Sequence, residues 1–159
     1  MRMGIIAALV VAVFGLALNP AFAEDPQAGY YYPKPKTVEV YQARVAILPD
    51  SDRNRRLGFV TGLTKEGAER PYPPPFLIFA KGDEADKMII VGMNDGQLST
   101  VYRSRALLAA LTAVARLTPF FQQNSIAEYA TFLDFLKLLG FKQLTITDGV
   151  AFTHQIRIE

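Results

Sequence analysis

His154 is the only imidazole in the chain, and there is no cysteine at all. A histidine working in acyl transfer needs a nucleophile and an orienting carboxylate beside it. Nothing near His154 in sequence supplies both, and no G-x-S-x-G elbow occurs. His154 is therefore expected as a structural residue, half-buried and hydrogen-bonded, on the core side of the terminal strand and opposite Lys142. A second place for chemistry is Gly92-x-Asn94-Asp95-Gly96-x-x-Ser99-Thr100, which leads from an apolar run into a helical pattern. The free N–H groups and positive end of that helix suit an anion, with Arg103 and Arg105 close by. Asn94, Asp95, Gly96, Ser99, Thr100 and Arg103 thus form a candidate small-ligand or anion site. The run holds neither G-K-[ST] nor G-x-G-x-x-G, and ordinary turn chemistry calls for the same residue types.

The remaining constellations point away from catalysis and metals. Asp83, Glu84, Asp86 and Asp95 lack the spacing of a calcium loop. Without cysteine there are no disulfides, thiolate zinc sites, iron–sulfur clusters or thiol nucleophiles, and one histidine cannot make a multi-histidine metal site within a chain. Arg53, Arg55 and Arg56 sit among Asp50 and Asp52, the pattern of a solvated helix start with local ion pairs. No catalytic residue, cofactor or metal follows from these residues.

The elements that must position them begin after an export signal. Arg2 precedes an apolar run, Ile5 to Leu18, followed by Asn19-Pro20 and the small-x-small triplet Ala21-Phe22-Ala23. The run is too short for the roughly 30 Å hydrocarbon core of a bilayer. A cleavable signal peptide over residues 1–23 is expected, with a periplasmic product that keeps no stable membrane span. The 159 residues carry 17 Lys+Arg against 15 Asp+Glu. This near balance gives no electrostatic case for nucleic acid. The mature length suits one domain that folds without disulfide staples.

Residues 24–36 (EDPQAGYYYPKPK) mix tyrosine with proline and read as an extended N-terminal arm. A single domain is expected over residues 37–159. Residues 37–48 are rich in β-branched side chains and read as a strand, its alternation slipping near Tyr41 or Gln42 as at a bulge. Residues 50–64 read as a helix capped by Ser51 or Asp52, although a strand also fits part of the pattern. Phe76 to Ala80 and Met88 to Val91 are apolar on both parities and form a hairpin of central strands. A helix follows from about Leu98 to Leu117, with Leu107, Leu108, Leu111, Val114 and Ala115 as its buried stripe. A second helix is expected from a capping box, Ser125 with Glu128, to Gly140 as its left-handed C′ residue. The chain closes on a hairpin with a three-residue loop, Thr147 to Gly149, that pairs Ile146 with Val150 and puts Gly149 at positive φ. The expected class is α+β: a mainly antiparallel sheet of about five strands with two or three helices packed on it.

Several strings also carry a resemblance: R-P-Y-P-P (Arg70 to Pro74), F-A-K-G-D-E-A (Phe79 to Ala85), I-I-V-G (Ile89 to Gly92), Y-R-S-R-A-L-L (Tyr102 to Leu108), K-L-L-G-F (Lys137 to Phe141) and I-T-D-G with H-Q-I near the end. Together they resemble a family of small exported bacterial proteins of unknown function, some labelled molybdopterin-guanine dinucleotide biosynthesis protein A. That label implies nucleotide transfer with an L-A-G-G…R-M-G…K loop at the N-terminus. Here a leader occupies that position, so the resemblance assigns no functional residue. The reading that residues and resemblance share is a periplasmic, non-enzymatic accessory or interaction protein with an envelope protein as partner; small-ligand binding at the Asn94–Thr100 loop is the alternative. Exported protein should begin at Glu24, which N-terminal mass spectrometry reads directly; an intact Met1 in exported material contradicts it.

Overall fold

The computed structural model describes residues 33–94 and 96–159; the leader, most of the arm and Asp95 lie outside the described residues. Five strands make one sheet: β1 (Thr37–Tyr41), β2 (Phe76–Lys81), β3 (Lys87–Gly92), β4 (Gln143–Thr147) and β5 (Thr153–Ile158), in the order β1-β5-β4-β3-β2. The helices are α1 (Arg53–Ala68), α2 (Val101–Arg116), α3 (Pro119–Gln123) and α4 (Phe132–Leu138). The α+β class holds, but the sheet is mixed. β2–β3 and β4–β5 are antiparallel hairpins, whereas β3 pairs β4 and β1 pairs β5 in parallel. Parallel pairing needs a long crossover, and α2, α3 and α4 provide it between β3 and β4. Among the described residues no helix is long and apolar enough to cross a membrane.

One face of the sheet carries Met88, Ile90, Leu144, Ile146, Ile156 and Ile158, which pack with Val60 of α1 and with Phe132, Leu133 and Leu136 of α4. The other face carries buried Ile89, Thr145 and Thr153 and exposed Val38, Val40 and Phe79. β2, expected as a central strand, is instead at the edge. β1 stops at Tyr41 without a bulge. Beyond it the chain turns toward α4, where Arg44 N–H meets Asp134 and Leu48 N–H meets the Leu138 carbonyl.

Helix α1 settles the ambiguous stretch: Asp52 Oδ1 accepts from Arg55 N–H at 2.7 Å, and the helix runs on to Ala68. Helix α2 agrees with its sequence pattern except at Val114, which is 63 % exposed. The expected helix from Ser125 does not form. Pro119 starts the short α3, Ser125 takes a positive φ of 54°, and Glu128 is exposed in a turn. The capping box that does form is Thr131 with Asp134. Its acid wins because Asp134 also takes donors from Tyr41 and Arg44, which Glu128 does not reach. Gly140 ends α4 at φ +80°; its N–H and that of Phe141 reach back to the carbonyls of Lys137 and Leu136 in the Schellman pattern.

The terminal hairpin differs in register from the sequence expectation. Ile146 faces His154 rather than Val150, and Thr147 faces Thr153. Residues 148–152 form the loop because Asp148 Oδ1 collects the N–H groups of Val150, Ala151 and Phe152. Gly149 is at positive φ as expected, but Val150 is exposed instead of pairing with Ile146, and Thr153 is buried. His154 therefore sits opposite Ile146, not Lys142.

Gly140 has no room for a side chain. A Cβ there would lie 2.6 Å from Ser51 Oγ and 2.8 Å from Arg56 Nη1, on a backbone that L residues rarely adopt. Gly140→Ala should cost about 2–3 kcal/mol. Gly62, inside α1 with nothing within 4 Å, is the contrast. Gly62→Ala should stabilise by about 0.5–1 kcal/mol. Urea denaturation of both variants checks the pair.

Candidate functional site

The loop that the sequence offers to an anion is closed on itself. Ser99 Oγ donates to the Gly96 carbonyl at 2.8 Å, and Arg103 reaches back to Ser99 Oγ at 3.4 Å. Thr100 caps α2 by accepting from Arg103 N–H. Gln97 N–H returns to the Asn94 carbonyl, and Gly96 supplies a positive φ for the turn. Ser99, Thr100, Arg103 and Gly96 are thus brought together, but the two hydroxyls already serve the loop's own backbone.

His154 is completely buried rather than half-buried. Parallel pairing of β1 with β5 sets Thr37 beside it, with 2.6 Å between Thr37 Oγ1 and His154 Nδ1. Two residues on, Glu39 places Oε2 3.7 Å from Nε2, while its Oε1 accepts from Arg105 at 2.6 Å. Hydroxyl, imidazole and carboxylate stand in a row, yet they do not make a working relay. The ring has no solvent access, its Nε2 has no hydrogen-bond partner, and the carboxylate is held by Arg105. Burial pushes the imidazole below its ordinary value near 6.5; Glu39 opposes this and Arg105 adds to it. The ring is thus held between β1 and β5 with its proton affinity lowered. Its partners were invisible in sequence because they come from the far end of the chain through a parallel register.

The arginine cluster is only partly a solvated helix start. Arg55 pairs with Asp50. Arg56, however, is 7 % exposed and holds the Glu84 carbonyl through Nε and Nη2 and the Leu139 carbonyl through Nη1. It ties α1 to the β2–β3 turn and to the end of α4. Asp86 pairs with Lys142 at 2.9 Å.

Asp134 is the fully buried carboxylate of α4. Burial by itself would raise its pKa. The N–H groups of Arg44 and Thr131 and the hydroxyls of Tyr41 and Thr131 outweigh that and hold it below the usual carboxylate range. A shallow hollow over Tyr41, Thr112, Arg116 and Thr131 lies beside it. Thr112 serves the Leu108 carbonyl and the Phe132 N–H, and Arg116 Nε serves the Ala130 carbonyl.

The next residue of α4, Phe135, points the other way, into a cleft of about 400 Å³ between α1 and α2. Phe59, Leu63 and Gly67 form the α1 wall, and Leu107, Leu111 and Val114 the α2 wall. Phe76 and Ile78 of β2 and Phe121 of α3 complete it. Phe135 stands at the centre of an aromatic cluster, with ring centroids 5.2 Å from Phe59, 5.5 Å from Phe121 and 5.6 Å from Phe120. The polar side chains at the cleft are engaged: Thr64 with the Val60 carbonyl, Thr118 with the Ala115 carbonyl, and Arg70 with Glu66 at 3.0 Å. The lining holds no histidine, cysteine or serine. Such a cleft has the apolar walls that suit an apolar group. The available signal for it was the apolar spacing Phe59/Leu63 and Leu107/Leu111/Val114 on two helices that do not close on each other.

The buried His154 has a consequence for acid stability. Its folded pKa lies below the unfolded one, so the unfolded chain binds the extra proton and folding is weakened as pH falls below about 6.5. The midpoint of urea unfolding should drop between pH 7 and pH 5.5 in the wild type. In His154→Gln that window should be flat. Equal slopes in the two proteins would exclude the burial effect. Comparison of the chain with protein-family models, curated proteins and solved structures finds no match, so the functional reading rests on the site itself.

Proposed function

We propose that this chain is an exported, non-enzymatic accessory protein of the bacterial envelope that works by binding an apolar group in the cleft between α1 and α2. The cleft carries the reading. It has the size of small-ligand sites, about 300–1,000 Å³, its walls are mostly apolar, and its polar side chains are engaged locally. The leader-like N-terminus supports the location. The Asn94–Thr100 loop is the weaker candidate because its serine and threonine hydroxyls are directed at its own backbone.

A fluorescent apolar probe, 1-anilinonaphthalene-8-sulfonate, should bind the native mature protein at one site per chain. Ala110 lines the cleft and is itself exposed, so Ala110→Trp fills the space with little cost to folding. It should reduce probe affinity by about tenfold or more. Probe binding that is absent, or unchanged by Ala110→Trp, would refute the proposal.

A further inference from the structure

Among the described residues β2 is an edge strand, bonded to β3 on one side and to no strand on the other. Its antiparallel register with β3, together with the Met93 N–H bound to the Pro75 carbonyl, fixes which backbone groups face outward. Leu77, Phe79 and Lys81 direct their N–H and C=O groups at β3. Phe76, Ile78 and Ala80 therefore direct theirs away from the sheet. Natural edges are blunted by a charge, a proline or a bulge within the strand. The run F-L-I-F-A, Phe76 to Ala80, has none of these; Pro73-Pro74-Pro75 precedes it and Lys81 follows it. Phe79 in its middle is 41 % exposed. The other edge of the sheet differs, because Glu39 sits at the centre of β1.

We infer that β2 pairs with β2 of a second copy of this chain, antiparallel about a two-fold axis at Ile78, so that the two sheets become continuous. This goes beyond the binding role proposed above and does not depend on it. The strand's own residues select both the partner and the register. With Ile78 opposite Ile78 of the copy, Phe76 lies opposite Ala80, and all three outward residues of each chain are bonded. On the side that faces the helices a large residue thus meets a small one. On the other side Leu77 meets Phe79, an aliphatic–aromatic cross-strand pair. Lys81 falls opposite Pro75, so no like charges are opposed. Sliding two residues toward the prolines would set Ala80 against Pro74, which has no N–H to donate. Sliding the other way would set Phe76 against Gly82, whose carbonyl already takes the Ala85 N–H.

Sedimentation equilibrium of the mature protein, from micromolar to submillimolar concentration, should show a monomer–dimer equilibrium. Ala80→Pro removes an outward N–H without touching the β3 ladder and should raise the dimer Kd about tenfold or more. Phe79→Lys brings two like charges to diagonal positions across the axis, about 7–8 Å apart, and should act in the same direction. Val38→Lys, at an exposed position on the opposite edge, should leave the Kd unchanged. The chain has no cysteine, so Ile78→Cys can cross-link only to another copy. Directly opposite residues of a bonded pair have Cα atoms about 5.5 Å apart, within reach of a disulfide. Mild oxidation should therefore give a covalent dimer with Ile78→Cys and none with Val38→Cys. A protein that stays monomeric throughout overturns the inference. A dimer that ignores both Ala80→Pro and Phe79→Lys, or that gives no Ile78→Cys cross-link, joins elsewhere and overturns it too. Should Ala80→Pro fail to fold, Phe79→Lys and the cross-link decide.

Discussion

A carboxylate buried as completely as that of Asp134 stays ionised only when it is surrounded by donors. Meeting that demand organises much of the helical layer. The Tyr41 hydroxyl comes from the end of β1, the Arg44 N–H from the segment that leaves it, and the Thr131 N–H and hydroxyl from the cap of α4. Two stretches far apart in sequence, residues 41–44 and the start of α4, converge on two oxygens. The arrangement decides where α4 begins, and so which way each of its seven residues points. With Asp134 turned toward Tyr41 and Arg44, its neighbour Phe135 is directed into the cleft.

A second tie holds the opposite wall. The Arg56 guanidinium binds carbonyls of the β2–β3 turn and of Leu139, and Gly140 leaves it the space to do so. Hydrogen bonds from a charged donor to backbone carbonyls are worth more than neutral ones, and a buried arginine stripped of them would be costly. Helix α1 is thereby fixed to the strand turn and to the end of α4 rather than to α2. The apolar cleft lies between α1, held at the β2–β3 turn and the end of α4, and α2, which packs on α3 and α4.

The two histidine-side features illustrate how similar atoms serve different ends. Thr37, His154 and Glu39 line up much as a relay would, but complete burial and the grip of Arg105 on the carboxylate make them a strand-pairing device at the β1–β5 edge. The cleft has a different character: open and walled mostly by apolar side chains.

The sequence by itself determined the local elements whose causes are local. Asp52 three residues ahead of Arg55 caps α1, charged residues between two apolar runs make the β2–β3 hairpin, and Gly140 and Gly149 take the left-handed conformations that Cβ-bearing residues resist. Tertiary structure decided whatever depended on partners from elsewhere in the chain. Ser125-x-x-Glu128 and Thr131-x-x-Asp134 are equivalent as capping boxes, and only donors from Tyr41 and Arg44 distinguish them. The hairpin register went to the loop in which Asp148 satisfies three N–H groups, leaving Val150 in solvent. The parallel pairings, the partners of His154 and the cleft belong to the same class. Each is set by contacts between residues tens of positions apart, for which periodicity and spacing carry no signal.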